Sequence, residues 1–200
     1  MSVTVNTTMT PMGRWQPDSR GRLQEAALAL FAERGFDQTT AAEIAAQAGL
    51  TERTFFRHFA DKREVLFGGS EVLKDRIVAG VAGAPKSNPP LDAVARGLDA
   101  AAGMLGEFRR DLASQRHTVI AANPELRERE LAKVGDYAAA VATVLRRRGV
   151  GEPQATIAAE AGMTVLRVAL ERWAGGHDDR GLAVVMNDAM TQLRMVATDS

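Results

Sequence analysis

The residues with the greatest chemical capacity lie between Thr51 and Arg63, where TERTFFRHFADKR sets Arg53, Arg57, His58, Lys62 and Arg63 among aromatic rings. Hydroxyls, guanidiniums and an imidazole on one short segment are donors for phosphate oxygens and base edges, which is the chemistry of non-covalent nucleic-acid contact. Covalent chemistry has little to work with. The chain contains no Cys, which excludes thiolate nucleophiles, disulfides and cysteine-ligated zinc. It has no Gly-rich phosphate loop ending in Lys-Ser/Thr, no G-x-S-x-G and no H-E-x-x-H. The three histidines, His58, His117 and His177, share no metal-ligand spacing. His177-Asp178-Asp179 offers a cation some ligands, but acids following Gly175-Gly176 suit the cap and first turn of a last helix better. Glu107, Asp111, Glu125, Glu128 and Glu130 lie on polar faces and read as solvated surface. No catalytic residue, metal or cofactor is expected.

The elements that position these residues are helices. Aromatic residues make up only 5% of the 200 residues, and the alternation of β-branched and polar residues expected of strands is absent, so the class is all-α, with about nine helices. Six of the Phe (Phe31, Phe36, Phe55, Phe56, Phe59, Phe67) fall between residues 31 and 67, which points to a small dense N-terminal unit before a more aliphatic body. Residues 1–17 carry no periodicity and read as a flexible arm. Leu23, Ala27, Leu30 and Phe31 then follow helical spacing over 19–34, and Gly35 suits a helix end. Thr40 followed by Glu43 forms a capping box for a short helix ending near Ala48. Gly49, Leu50 and Thr51 are the only residues before the next helix at Glu52, so the two must cross steeply in a helix-turn-helix. Phe55 and Phe59 lie one turn apart and face helix one and Ile44, which leaves Arg53, Thr54, Phe56, Arg57 and His58 pointing elsewhere. Asp61 caps a long helix expected to run to about 83, until APKSNPP at 84–90 breaks it.

Five more helices are expected at about 91–105, 109–122, 125–148, 153–175 and 179–197, separated by Asn123-Pro124, Gly149-Val150-Gly151 and Gly175-Gly176. Arg146-Arg147-Arg148, the only basic run, suits a helix C-terminus and solubility. In 153–175 one stripe holds Ile157, Ala161, Val165 and Val168 and another holds Leu166, Leu170 and Trp173, so this helix needs two sets of neighbours. The last helix repeats Leu182, Val185, Ala189, Leu193 and Val196. The N-terminus lacks the basic start and apolar run of a signal peptide, and no apolar stretch approaches the roughly 18 residues of a membrane span. A cytoplasmic protein without membrane partners is expected. The 25 basic and 25 acidic side chains give zero net charge, so a DNA contact must rest on local clustering. Arg53, Arg57, Lys62 and Arg63 outnumber Glu52 and Asp61 around the recognition helix, which is such a cluster.

Residues 22–67, RLQEAALALFAERGFDQTTAAEIAAQAGLTERTFFRHFADKREVLF, resemble the N-terminal DNA-binding domain of the TetR family of bacterial transcriptional regulators. The resemblance is carried by the aromatic-Gly after helix one, Thr39-Thr40, E-I-A, A-G-L-T, T-F-F-R-H-F and Asp61-Lys62. It implies a helix-turn-helix domain at 18–67 and a ligand-binding and dimerisation domain at 68–200, in a homodimer on a palindromic double-stranded DNA operator. Thr40 is implied to bind a backbone phosphate, and Thr51, Arg53 and Thr54 to sit at the reading end of the recognition helix. Phe56 stands where the family has a tyrosine, keeping a methyl contact without the hydroxyl, while Arg57, His58 and Lys62 are implied to hold phosphates. Arg14, Trp15 and Arg20 either follow an adjoining groove or belong to a plain disordered extension. PELREREL at 124–131 and ALERW at 169–173 are faintly similar to the subgroup that binds acyl-coenzyme-A-like ligands. Met104, Phe108, Leu112, His117, Tyr137 and Met163 are candidates for an apolar effector pocket, with ordinary core an equal reading of each. Val165, Leu166, Leu170, Trp173, Val185, Ala189 and Leu193 are the candidate dimer interface. The resulting expectation is a repressor released by a small hydrophobic effector. The alternative is a helical enzyme or carrier with a structural helix-turn-helix.

Overall fold

Leu23, Ala27, Leu30 and Phe31 recur along one side of the first helix, α1 (Ser19–Arg34), and all four are buried. The computed structural model describes residues 19–106, 109–176 and 178–198. The arm at 1–17 with Arg14 and Trp15, and the candidates Phe108 and His177, lie outside the described residues. After α1 the described residues form α2 (Ala41–Gln47), α3 (Glu52–His58), a 3-10 turn (Glu64–Phe67), α4 (Ser70–Gly83), α5 (Pro90–Gly106), α6 (Arg110–Ala122), α7 (Pro124–Arg147), α8 (Gln154–Ala174) and α9 (Leu182–Thr198), with no strand among them.

The long helix expected from Asp61 to about 83 is two elements. Asp61 does cap: its Oδ1 accepts from the amides of Arg63 at 2.8 Å and Glu64 at 3.0 Å. The turn it starts is 3-10, and Gly68-Gly69 ends it before α4 begins. Gly69 has φ +105°, a backbone conformation that a residue with a Cβ adopts at a cost. A Cβ on Gly68 would lie 2.8 Å from Gln24 Nε2 and 3.0 Å from Phe59 Cε1, so a larger residue there would push on the side chains that hold the turn against α1 and the end of α3.

Two cores result. The head core gathers α1, α2, α3 and the 3-10 turn around Phe31, Ile44, Phe55 and Phe59, and takes in Val119 and Ile120 of α6 and Leu126 of α7. The body core joins α4, α5, α8, α9 and the later turns of α7. Within it α4 and α5 touch backbone to backbone, since a Cβ on Gly80 would lie 2.7 Å from Gly97 Cα. Arg148 closes the α4–α5 connection by donating to Ala84 O and Pro85 O, each at 2.7 Å, a tertiary duty beyond the helix-end role that its sequence position suggests. No helix among the described residues is long and apolar enough to cross a membrane.

Candidate nucleic-acid interface

The helix-turn-helix is built by caps at both ends of α2 and at the start of α3. Thr40 Oγ1 accepts from the Glu43 amide at 3.2 Å, while Glu43 Oε2 accepts from the Thr40 amide at 2.8 Å, completing the box that the sequence predicts. These bonds, with Arg34 nearby, hold the Glu43 carboxyl below the usual glutamate range. At the other end of α2 the Gly49 amide donates to Ala46 O at 3.0 Å and the Leu50 amide to Ala45 O at 2.8 Å, the two bonds of a Schellman stop, with Gly49 at φ +66°. Thr51 then caps α3, its Oγ1 accepting from the Thr54 amide at 3.2 Å. Phe55 and Phe59 anchor α3 from beneath, their ring centroids 5.7 Å apart and both side chains buried.

That anchoring sets the outer face of α3. Arg53 and Arg57 are exposed, and neither guanidinium has an ion-pair partner among the described residues. Phe56 is 52% exposed and supported edge-on by Phe55, the ring centroids 5.3 Å apart. Two unneutralised guanidiniums flanking an exposed ring suit a surface of phosphates and thymine methyls. Thr54 is half-buried, and its hydroxyl lies 2.9 Å from that of Thr51.

Four other candidates are differently engaged. Lys62 is not free for a phosphate: its Nζ donates to Phe36 O at 2.8 Å, Thr39 O at 3.0 Å and Asp37 O at 3.2 Å, and sits 4.4 Å over the Phe36 ring. An ammonium has three hydrogens, and all are used in pinning the loop between α1 and α2. Lys62→Met is therefore expected to destabilise the head by about 2 kcal/mol, as loss of hydrogen bonds to a charged donor does. Thermal melting checks this, and an unchanged midpoint would return Lys62 to the list of phosphate contacts. His58 is half-buried with Nε2 shielded and unbonded, so that nitrogen does not face outward. The Thr40 hydroxyl already donates to Glu43 Oε2 at 2.8 Å, which leaves the exposed helix start, not a free hydroxyl, for an anion. Arg20 stacks 5.3 Å from the Phe59 ring at the edge of the head.

The body candidates change more. Tyr137 and Met163 are buried in the body core, Leu112 packs on the head core, and Met104 and His117 are half-buried. A cleft of about 560 Å³ lies between the end of α1, residues 35–38 and α6. The interface candidates Val165, Leu166, Trp173 and Val185 are buried within the single chain, and Leu170, Ala189 and Leu193 pack against the same core. The outer face of α8 runs through the exposed Ile157 (63%) and Thr164 with the half-buried Ala161 and Val168, beside the exposed Val184, Thr191 and Met195 of α9. Sequence periodicity found both stripes of α8 but had no signal for which one faces inward. Asp178 does not cap α9 either. It accepts from Arg180 Nε at 2.9 Å and Nη2 at 2.7 Å, and the guanidinium holds its carboxyl well below the usual range. The described residues contain no group of three or more His, Asp or Glu arranged for a metal ion.

A capped helix-turn-helix with an open, cationic outer face, carried on an all-α body, defines a DNA-binding regulator architecture. Comparison with known proteins agrees. Residues 23–67 match the bacterial regulatory proteins of the tetR family, and residues 88–198 match the MftR C-terminal domain. The chain belongs to the TetR family of bacterial regulatory proteins. It is 33% identical over 105 residues to the HTH-type transcriptional regulator TcmR of Streptomyces glaucescens, covering 50% of this chain and 46% of that protein. It is 47% identical over 47 residues to the HTH-type transcriptional repressor KstR2 of Mycobacterium tuberculosis, 24% of each chain. The chain thus matches less than half the length of these curated relatives. The fold is shared with the transcriptional regulator FadR of Bacillus subtilis, solved in complex with stearoyl-CoA, at a TM-score of 0.61 and 18% identity over 86% of this chain and 96% of that one.

Proposed function

We propose that this protein is a homodimeric transcriptional repressor that holds a palindromic operator through α3 of each protomer and releases it when a small hydrophobic effector enters the body. Residues 18–67 act as the DNA-binding head and residues 68–200 as the ligand-binding and dimerising body. The observation that carries the reading is the outer face of α3, where Arg53, Phe56 and Arg57 are exposed above the buried Phe55 and Phe59. Arg53 and Thr54 read base edges, Phe56 touches a thymine methyl, and Arg57 with the start of α2 holds phosphates. Net neutrality of the chain then implies weak non-specific binding and reliance on the specific site. An acyl-coenzyme-A-like effector is supported by the FadR fold solved with stearoyl-CoA, and by the apolar character of the body core. Release follows if the ligand binds a body conformation that spaces the two heads wrongly, by its differential affinity of typically about 1–3 kcal/mol.

Selection of duplexes from random sequence, followed by shift assays with and without stearoyl-CoA, tests the reading directly. Retention of a palindrome, lost on adding the thioester, is the expected result. Failure to enrich any sequence, together with turnover of a small substrate, would instead identify a helical enzyme. Within the bound state, Arg57→Ala is expected to weaken all duplexes alike, whereas Thr54→Ala relaxes preference at particular base pairs, by about 1–3 kcal/mol each. Uniform scaling by both variants would show that the division between base and phosphate contacts is wrong.

A further inference from the structure

We propose that Thr51 sets the base specificity of Thr54: by giving its own proton to a DNA phosphate it makes the Thr54 hydroxyl an acceptor, which reads the exocyclic amine of an adenine or a cytosine. This assignment rests on the DNA-binding reading above and names the base group that one of its contacts recognises. The two hydroxyls form a pair. Their oxygens lie 2.9 Å apart, and the Thr54 amide donates to Thr51 Oγ1 at 3.2 Å as well as to Thr51 O at 2.8 Å. A hydroxyl has one proton and two lone pairs. Thr51 Oγ1 uses one lone pair on the amide, so one lone pair and one proton remain to be divided between Thr54 and whatever lies outside.

Two oxygens at 2.9 Å need a proton between them, and only two arrangements supply it. In the first, Thr51 donates to Thr54, which frees the Thr54 proton for an acceptor on a base edge and leaves Thr51 a lone pair facing outward. In the second, Thr54 donates to Thr51. Both lone pairs of Thr51 are then filled, its proton turns outward, and Thr54 keeps two lone pairs with no proton to offer. Water, which donates and accepts, satisfies either arrangement, but DNA does not. Thr51 is the exposed member of the pair, at the point where the turn meets α3, and Thr54 is the half-buried one. Phosphate oxygens accept and never donate, so an outward lone pair on Thr51 opposes another acceptor, whereas an outward proton makes a charge-assisted bond. The duplex therefore selects the second arrangement. On major-groove base edges the donors are the N6 amine of adenine and the N4 amine of cytosine, while purine N7, guanine O6 and thymine O4 accept. Thr54, left with lone pairs alone, pairs with an amine.

The test uses the full chain and a duplex that the wild type selects from random sequence, at a temperature where circular dichroism shows every variant folded. Thr54→Val keeps the shape and methyl of the side chain without its hydroxyl, and so identifies the base pair whose preference depends on Thr54. At that pair two altered duplexes are compared. One replaces the exocyclic amine by hydrogen, with purine for adenine or 2-pyrimidinone for cytosine, and the other replaces the purine N7 by carbon. Loss of the amine is expected to weaken the wild type about fivefold more than it weakens Thr54→Val, and loss of N7 to weaken the two proteins alike. This comparison stands on the wild type and Thr54→Val alone. Thr51→Asp then tests the polarity. A carboxylate caps a helix but only accepts, so the Thr54 proton stays inward: affinity for every duplex is expected to fall about tenfold by repulsion of phosphate, with the amine effect retained. Thr51→Ser, which keeps the proton, should match the wild type in both respects. A Thr54 effect that tracks N7, or that does not track the amine, overturns the assignment, as does loss of the amine effect in Thr51→Asp or wild-type affinity of that variant for all duplexes. A wild type that selects no duplex overturns the regulator reading itself, which separates the two failures.

Discussion

For the homodimer proposed above, Ile157→Asp is expected to leave the chain folded and monomeric, with operator binding reduced about a thousandfold. Ile157 projects from α8 with 63% of its surface exposed in the single chain, so replacing it removes no contact of the protomer core. Across a two-fold axis the same change occurs twice in one patch. Each protomer loses about 1.5–3 kcal/mol of isoleucine burial, and two carboxylates must then be desolvated opposite one another. Neighbouring Ala161, Thr164 and Val168 are small or short enough to let two helices approach, and none supplies a cation to neutralise the new charge. A monomer presents one recognition helix, so it forfeits simultaneous engagement of two half-sites, which is where the large loss in operator affinity originates. Sedimentation velocity and operator shift are the measurements. A variant that still sediments as the wild-type dimer would remove this face from the interface. Trp173→Asp serves as the contrast: Trp173 is buried beneath Arg110, whose Cζ lies 5.9 Å from the ring, so a charge there is expected to unfold the body instead of separating protomers.

Phe55→Ala is expected to abolish operator binding by melting the head while the body stays dimeric. Phe55 is fully buried, and its ring meets both Phe56 at 5.3 Å and Phe59 at 5.7 Å, so it is the piece that attaches α3 to the rest of the head. Removing a buried phenyl costs about 3–5 kcal/mol, because the transfer free energy is lost and the cavity collapses only partly. Whole domains are stable by only about 5–15 kcal/mol, and α3 is a helix of seven residues that has no stability of its own. Without Phe55 the outer face has no support, even though Arg53 and Arg57 remain in the chain. Two-phase thermal melting, with an early transition absent from the wild type, is the expected signature. Wild-type melting together with wild-type operator affinity would show that α3 is held by contacts other than this core.

The helix-turn-helix could be read from the sequence because its determinants are local. Thr40 with Glu43, Gly49 with Leu50, and Thr51 with Thr54 are interactions between residues within five positions of one another, and each forms as its spacing predicts. The same holds for most helix bounds, as in α1, whose ends at Ser19 and Arg34 coincide with the periodic pattern. What failed depended on distant residues. Lys62 has the composition of a phosphate contact, but three carbonyls more than twenty positions away take its ammonium. Gly68-Gly69 interrupts a pattern that would otherwise continue as one helix, with Gln24 of α1 packed against Gly68 and Gly69 at φ +105°.

The sequence by itself determined an all-α chain of the TetR family, the caps and turn of the head, and the donors and ring on α3, since periodicity, capping and turn chemistry act over a few residues. Only the tertiary structure decided which stripe of α8 is buried, that α6 and the start of α7 belong with the head core, and that Glu64 meets Arg129 across 65 positions. A helix with two apolar faces states that it needs two neighbours but not which neighbour takes which face. That choice is made when the whole core packs, and it leaves Ile157 outside and Trp173 within.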